Sequence, residues 1–442
     1  MKTGRFRGGI HPPSWKESTR LRPIRSLPLP DKLYLLLLQH TGTPLVPLVV
    51  KGDRVKRGQK IADVEAYISA PLHAPVAGKV LAIEDWPHPC QGKFPAIVIE
   101  NDHTEEEEKR DPLDTREIEA LDRSFLREWI REGGLVGLGG AAFPTHVKVS
   151  PPEGKTIDTL ILNGAECEPF LTADERVMIE DPENILLGGR ILKQCCGAGR
   201  LVIALEDNKS ESERSIRRLL DKDPGVAELI TLPTRYPQGS EKHLILSLLK
   251  RWVPPGGLPF DVGVVVSNVQ TSRAVGRMAR EGLPLIDRVI TVSGDAISQA
   301  DNLSVPLGMR LIDILEGCGG LKTEPRKIIM GGPMTGIAQV QLDVPVVKGT
   351  SGFLFMSEIT EKKEFPCIRC GRCVSTCPMN LVPSALARFS EFRAYDEARN
   401  HYALDCIECG VCAYGCPSGI PLTHHIKQAK AEILRKSRKG SQ

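Results

Sequence analysis

The chain has 442 residues, 41% hydrophobic and 26% charged, which suits two to four soluble domains, each large enough to bury its own core. A net charge of +3 gives no general ground for nucleic-acid binding. The best apolar run, "LYLLLLQHTGTPLVPLVV" at 33–50, is broken by Gln39, His40, Pro44 and Pro47 and falls short of the roughly 20 residues a membrane span needs.

In chain order, residues 1–32 come first. They carry Lys2, Arg5, Arg7, Lys16, Arg20, Arg22, Arg25 and Lys32 against only Glu17 and Asp31. Such an arm reads either as a contact for an anionic membrane or acidic partner, or as a solvated tail. The opening "MKTGRFRGGIHPPSW" has no apolar stretch and so does not read as a secretory signal. With thirteen cysteines and no such signal, the expected setting is a reducing compartment where thiols act as ligands. Five of them, Cys90, Cys167, Cys195, Cys196 and Cys318, are scattered and read as buried small side chains.

Residues 44–100 alternate apolar and polar positions, with turns at Gly52-Asp53, Arg57-Gly58 and Ala77-Gly78. This β unit resembles the barrel-sandwich fold of lipoyl and biotinyl carriers. No lysine lies between Lys60 and Lys79, so a carrier's swinging-arm chemistry is not expected. The charged bridge at 102–122 marks a domain boundary, and "REIEALDRSFLREWIREGG" predicts a helix ending at Gly133-Gly134. Beyond it, apolar runs ("TLILNGAE", "RLVIALED", "VGVVVSNV") alternate with helical patterns, which argues for an α/β domain. Short strands around one short helix at 286–350 suggest a β-grasp-like module. From 364 onward cysteine clusters interleave with helical stretches. The expected fold is therefore multidomain α/β in four parts: 1–110, arm plus barrel sandwich; 111–275, a Rossmann-like flavin and nucleotide domain; 276–355, the β-grasp module; 356–442, a helical two-cluster ferredoxin-like domain.

The strongest chemical signal is a repeat. "CIRCGRCVSTCP" at 367–378 returns as "CIECGVCAYGCP" at 406–417, each spelling C-x2-C-x2-C-x3-C-P. Three cysteines at these gaps wrap one corner of a [4Fe–4S] cluster, and the fourth turns away to the other cluster. By that rule Cys367, Cys370, Cys373 and Cys416 hold one cluster, and Cys406, Cys409, Cys412 and Cys377 the second. Structural zinc uses two separated C-x2-C pairs and needs neither the third cysteine nor the Cys-Pro.

In "EGGLVGLGGAAFPTHVK" at 132–148, Gly137-x-Gly139-x-x-Ala142 formally fits a dinucleotide fingerprint. The fingerprint should follow a strand, yet a predicted helix precedes it here, so a phosphate cradle and a plain glycine-rich turn both stay open. In "NGAECEPFLTADERVM" at 163–178, Asn163, Glu166 and Glu168 could bond a flavin edge or a ribose, or could cap the next helix.

Together these segments resemble the flavin- and NADH-binding subunit of respiratory complex I. The resemblance is closer to the C subunit of the Rnf electron-transport complex, through "FRGGIHPP", "LHAPVAG", "GLGGAAFPTHVK", "NGAECEP", "YPQGSEKHLI" and the twin cysteine motifs, which span essentially the whole chain. It implies FMN, NAD(H) and two [4Fe–4S] clusters. It also implies a peripheral place on the cytoplasmic face of the cell membrane, among other subunits of an ion-translocating NAD:ferredoxin oxidoreductase, with ferredoxin reached indirectly. Carried over, Gly137, Gly139, Gly140 and Lys148 would cradle the FMN phosphate and ribityl chain. Asn163, Glu166 and Asn268 would reach the flavin. Phe143, Glu168 and Glu241 would face the nicotinamide nucleotide. Leu138, Ala165 and Ser240 depart from the complex I pattern. A cobalamin reductase of microcompartments looks similar over the flavin and cluster regions. A relay scaffold using the clusters alone is the non-enzymatic alternative.

Overall fold

The computed structural model describes residues 6–360 and 362–439; Lys2 and Arg5 of the basic arm lie outside them. The arm supplies the first strand, β1 (Ile24–Ser26). Then β2 (Lys32–Leu36), β3 (Val46–Pro47), β4 (Arg54–Val55), β5 (Lys60–Asp63), β6 (Leu72–His73), β7 (Gly78–Pro87) and β8 (Lys93–Asn101) form two small sheets, ordered β2-β8-β7-β4 and β3-β5-β6. Alternation drives this pairing: Leu33, Leu35, Ile97 and Ile99 of one sheet and Ile61, Ala62 and Leu72 of the other share one core.

The next module starts with α1 (Arg123–Glu132). The expected helix begins later than the apolar pattern suggests, because the Asp122 carboxylate accepts the Phe125 amide at 2.9 Å and caps it there. After α2 (Thr145–Lys148) come β9 (Thr159–Gly164), α3 (Ala173–Glu180), α4 (Pro182–Cys196), β10 (Arg200–Glu206), α5 (Ser210–Leu220), β11 (Glu228–Leu232), α6 (Glu241–Leu249), β12 (Val264–Asn268) and α7 (Val269–Glu281). The four strands are parallel in the order β11-β10-β9-β12. Leu160 and Leu162 of β9 join a core with α1, α4 and α7, whereas Ile161 joins α6 on the other face. Helices therefore cover both sides of a sheet whose strands are apolar on both faces.

A fourth sheet joins β13 (Asp287–Ser293), β14 (Asp301–Pro306), β15 (Lys327–Met330), β16 (Ile337–Gln339) and β17 (Gly352–Met356), with α8 (Leu311–Gly317) between β14 and β15. Its order is β1-β14-β13-β17-β15-β16, so the arm contributes an edge strand parallel to β14. Val292, Leu303 and Phe353 of this sheet continue the barrel-sandwich core. The C-terminal module packs α9 (Arg372–Thr376), α10 (Pro383–Glu391), α11 (Tyr395–Asn400), α12 (Val411–Tyr414) and α13 (Leu422–Lys439). No helix among the described residues is long and apolar enough to cross a membrane.

The reading of the arm as a solvated tail or membrane contact is corrected for three of its cations. Lys16 is buried and donates to the Glu166 carbonyl at 2.7 Å, Arg20 pairs with Glu175 at 2.9 Å, and Arg25 pairs with Asp301. Their carboxylate partners sit far along the chain, so sequence spacing could not reveal them.

His40, His73 and His146 are buried where the barrel sandwich meets the α1–α2 region. Lys348 lies among them and donates to Pro71 O at 2.6 Å and Gly134 O at 2.8 Å. Burial, then the Lys348 charge, holds His40 down at about 4, and the same two causes hold His73 well below its usual range. A histidine depressed in the folded state contributes stability fully present above pH 6.5, its unfolded value, and lost as pH falls through about 4. For His40 alone that amounts to about 3 kcal/mol. Urea unfolding of the full chain should therefore show stability falling between pH 6.5 and 4, and His40→Gln should flatten that slope. An unaltered slope would rule out His40 as its source.

Candidate functional site

Two strand ends, those of β9 and β12, define the first part of the site. β9 is the first strand of the parallel sheet, β10 and β11 extend it one way, and the chain then crosses to place β12 on the other side. Ligands of such sheets bind outside the carboxyl ends of the strands where the order reverses. Asn163 and Asn268 are register partners at that point, on β9 and β12.

The glycine loop comes up against Asn268. Gly137 N donates to Phe143 O at 2.8 Å, closing the loop at its base. Leu138 is pinned from below: its amide donates to Thr271 Oγ1 at 2.8 Å, and its carbonyl accepts from buried Arg288 at 3.0 Å. Gly139 and Gly140 form the exposed crest. A Cβ on Gly139 would stand 3.3 Å from the Asn268 side chain, so any side chain there presses on that amide. Gly140 has φ +113°, a left-handed conformation that also calls for glycine. Lys148, at the end of α2, pairs with Glu241 at the start of α6, and Phe143 is half-buried at the loop base.

The "NGAECEP" segment leaves the end of β9. Asn163 Nδ2 donates to Gly239 O at 2.8 Å, and Asn163 Oδ1 accepts the Ala165 amide at 3.2 Å. Glu166 turns inward. Its carboxylate accepts the Asp174 amide at 2.7 Å at the start of α3 and the Lys209 ammonium at 2.8 Å, and Lys16 stands at 3.6 Å. The helix-capping alternative therefore describes the Glu166 side chain. Glu168 points the other way, into the turn between β15 and β16, where it accepts Met334 N at 3.1 Å and the Thr335 hydroxyl. Burial raises its carboxyl above the usual range.

Sequence reasoning missed several members. Asp174 accepts from Asn268 Nδ2 at 2.7 Å and Gln270 Nε2 at 2.8 Å, and burial, with Glu166 nearby, pushes its carboxyl up to about 6. Thr271 and Arg288 hold the glycine loop, and Lys209 locks Glu166. The Gln270-Thr271 pair directly follows Asn268 and Val269, so the polar "SNVQT" run was the available signal. Arg288 and Lys209 had none, because each finds its partners across the fold.

The cysteines gather into two rings. Cys377, Cys406, Cys409 and Cys412 line one cavity, closed by Leu381, Val411 and Ile426. Cys367, Cys370, Cys373 and Cys416 line a second, with Cys367 and Cys370 exposed at its mouth. Each ring contains the fourth cysteine of the other repeat, which is the arrangement crossed ligation demands. Cys195, Cys196 and Cys318 are buried and Cys167 is half-buried, as expected of small side chains, but Cys90 is exposed.

Comparison with known proteins follows the same modules. Residues 4–104 match the RnfC barrel sandwich hybrid domain, 130–277 the Nuo51 FMN-binding domain, 289–338 the SLBB domain and 366–420 the 4Fe-4S dicluster domain. The C subunit of the proton-translocating ferredoxin:NAD+ oxidoreductase complex of Clostridium ljungdahlii is 45% identical over 90% of this chain and 87% of its own length. The C subunit of the Na+-translocating complex of Acetobacterium woodii is 40% identical over the full length of both. An NAD+-reducing [NiFe]-hydrogenase crystal structure shares the fold with a TM-score of 0.50 at 19% identity, over 70% of this chain and 63% of that one. These relatives support the oxidoreductase-complex reading over the cobalamin-reductase and relay alternatives. With FMN-binding and Fe–S modules and full-length relatives of this identity, the chain belongs to the family of C subunits of ion-translocating ferredoxin:NAD+ oxidoreductase complexes.

Proposed function

We propose that this chain binds FMN, NAD(H) and two [4Fe–4S] clusters, and carries electrons between the nucleotide and the other subunits from the cytoplasmic face of the membrane. The observation that carries this reading is the exposed glycine crest set against Asn268, whose register partner at the sheet's switch point is Asn163. Gly137, Gly139 and Gly140 would admit the FMN phosphate and ribityl chain to the loop backbone, with Lys148 as the counter-charge. Asn163 and Asn268 would meet the ring or tail. Glu166, committed to Lys209 and α3, serves by fixing the segment on which Asn163 stands. Phe143, Glu168 and Glu241 would border the nicotinamide nucleotide, Glu241 by sharing Lys148. The parallel-sheet module is then Rossmann-like in strand order without the strand-borne glycine fingerprint, and the module around β13–β17 is a β-grasp-type fold.

The chemistry follows from electron counting. NADH yields a hydride pair, a cluster accepts one electron, and flavin supplies the conversion between them. The protein's share is to position nicotinamide against flavin and to keep the cysteine sets in place. Ferredoxin is then reached through partners, and ion movement belongs to them as well.

Gly139→Val tests the assignment. The added side chain would occupy the space above Asn268, so FMN retained after gel filtration should fall to a small fraction of the parent's, while iron content stays at the parent level. Full FMN retention would remove the glycine loop from the site.

A further inference from the structure

The segment "FRGGIHPP" crosses the molecule where the flavin module meets the cysteine-rich one. Gly9 N donates to Thr376 O at 2.8 Å, next to Cys377. Ile10 and Tyr236 exchange backbone hydrogen bonds, both at 2.9 Å. A Cβ on Gly8 would lie 2.6 Å from the Cys377 carbonyl, and one on Gly9 would lie 2.6 Å from the Tyr236 carbonyl; both residues have positive φ. Phe6 is buried against His243, ring centres 4.7 Å apart, and the His243 imidazole hydrogen-bonds Pro378 O at 3.0 Å.

Two further links reach the same cysteine set. The Tyr236 hydroxyl donates to Cys409 O at 2.8 Å. Three residues on, Gly239 accepts from Asn163 at 2.8 Å and donates to Cys167 Sγ at 3.4 Å. The Tyr236–Gly239 segment therefore touches a cluster cysteine at one end and the candidate flavin site at the other. Independently, the Met334 amide that bonds Glu168 belongs to the turn on which Gly410 rests, where a Cβ would meet Met334 O at 2.8 Å. The other set, Cys367, Cys370, Cys373 and Cys416, opens to the surface, with exposed Phe365 and Ile368 nearby.

We propose that the Phe6–Pro13 strap and Tyr236 are positioning elements that seat the Cys377, Cys406, Cys409 and Cys412 set against the flavin module, making it the inner set, with the Cys367 set facing outward. This rests on the proposed function. It explains a local demand of the sequence: two adjacent glycines are needed where the strap threads between Thr376-Cys377 and Tyr236. A hydrogen bond to the backbone of a ligating cysteine is an outer-shell contact, and losing such contacts typically costs ten- to a hundredfold in metal affinity or activity.

The test uses the full chain reconstituted with FMN, iron and sulfide. Dithionite-reduced EPR of Cys409→Ala and Cys370→Ala assigns the two cluster signals. Tyr236→Phe removes only the hydroxyl, and Gly8→Ala perturbs the strap directly. With either variant, the Cys409-dependent signal should change its g-values and rise about tenfold more slowly after NADH, while the Cys370-dependent spectrum under dithionite keeps its shape. A change confined to the Cys370-dependent signal, or parent spectra and rates in both variants, would overturn the proposal. If NADH fails to bleach flavin in the parent chain, the proposed function falls instead, and the dithionite spectra still decide the strap's role.

Discussion

Cys409→Ala is expected to leave a folded chain with about half its iron, roughly four atoms instead of eight, because one ring of four thiolates loses a corner while the other stays complete. The two rings line separate cavities, and no cysteine is shared between them. The inner cavity is closed by Leu381, Val411 and Ile426, so water and other ligands are poorly placed to replace the missing thiolate. Iron and sulfide analysis with EPR on the reduced protein would show one cluster signal in place of two. Loss of both signals would mean that the rings assemble as one unit, and retention of both would contradict the ligand assignment.

Lys209→Met is the second large effect. Lys209 is fully buried and bonds Glu166 and Glu175, both at 2.8 Å, behind the strand end that carries Asn163. The attraction of these carboxylates outweighs desolvation, so its ammonium is held above the usual lysine range. Removing one partner of a buried ion network strands the others in low dielectric, at a cost of about 3–5 kcal/mol. The second cation near Glu166, Lys16, is pushed down to about 8, chiefly by burial and then by the Lys209 charge; the variant lifts only the second cause, and at 3.6 Å from Glu166 Lys16 compensates only partly. Urea unfolding of the variant should show that loss, and FMN retention should fall with it because Glu166 fixes the 163–168 segment. Parent-like stability would show that Lys16 suffices to neutralise the pair.

What was legible in the sequence follows from where the partners lie. The cysteine repeats could be read because the spacing within each motif sets the geometry, and the crossing rule assigns the rings. Asn163 was legible as a polar residue where an apolar strand ends and Asn268 only through the family resemblance; their pairing required the strand order, which no local pattern encodes. Lys209, just after the apolar run "RLVIALED", is buried because its counter-ions arrive from 34 and 43 residues upstream. The arm misled for the same reason. Eight basic residues against only two acids look like a contact for an external anion, but Glu166, Glu175 and Asp301 are the anions for three of them. The start of α1 was misplaced because helical periodicity continues through Ile118, while the Asp122 cap sets the boundary.

In the proposed function, one chain joins a nucleotide-reducible flavin to two clusters. The most direct measurement is anaerobic: add NADH to the reconstituted full chain and follow the flavin absorbance together with cluster EPR on rapidly frozen samples. Bleaching of the flavin band followed by reduced-cluster signals is the predicted result. Clusters that reduce with dithionite while NADH leaves the flavin band untouched would contradict it.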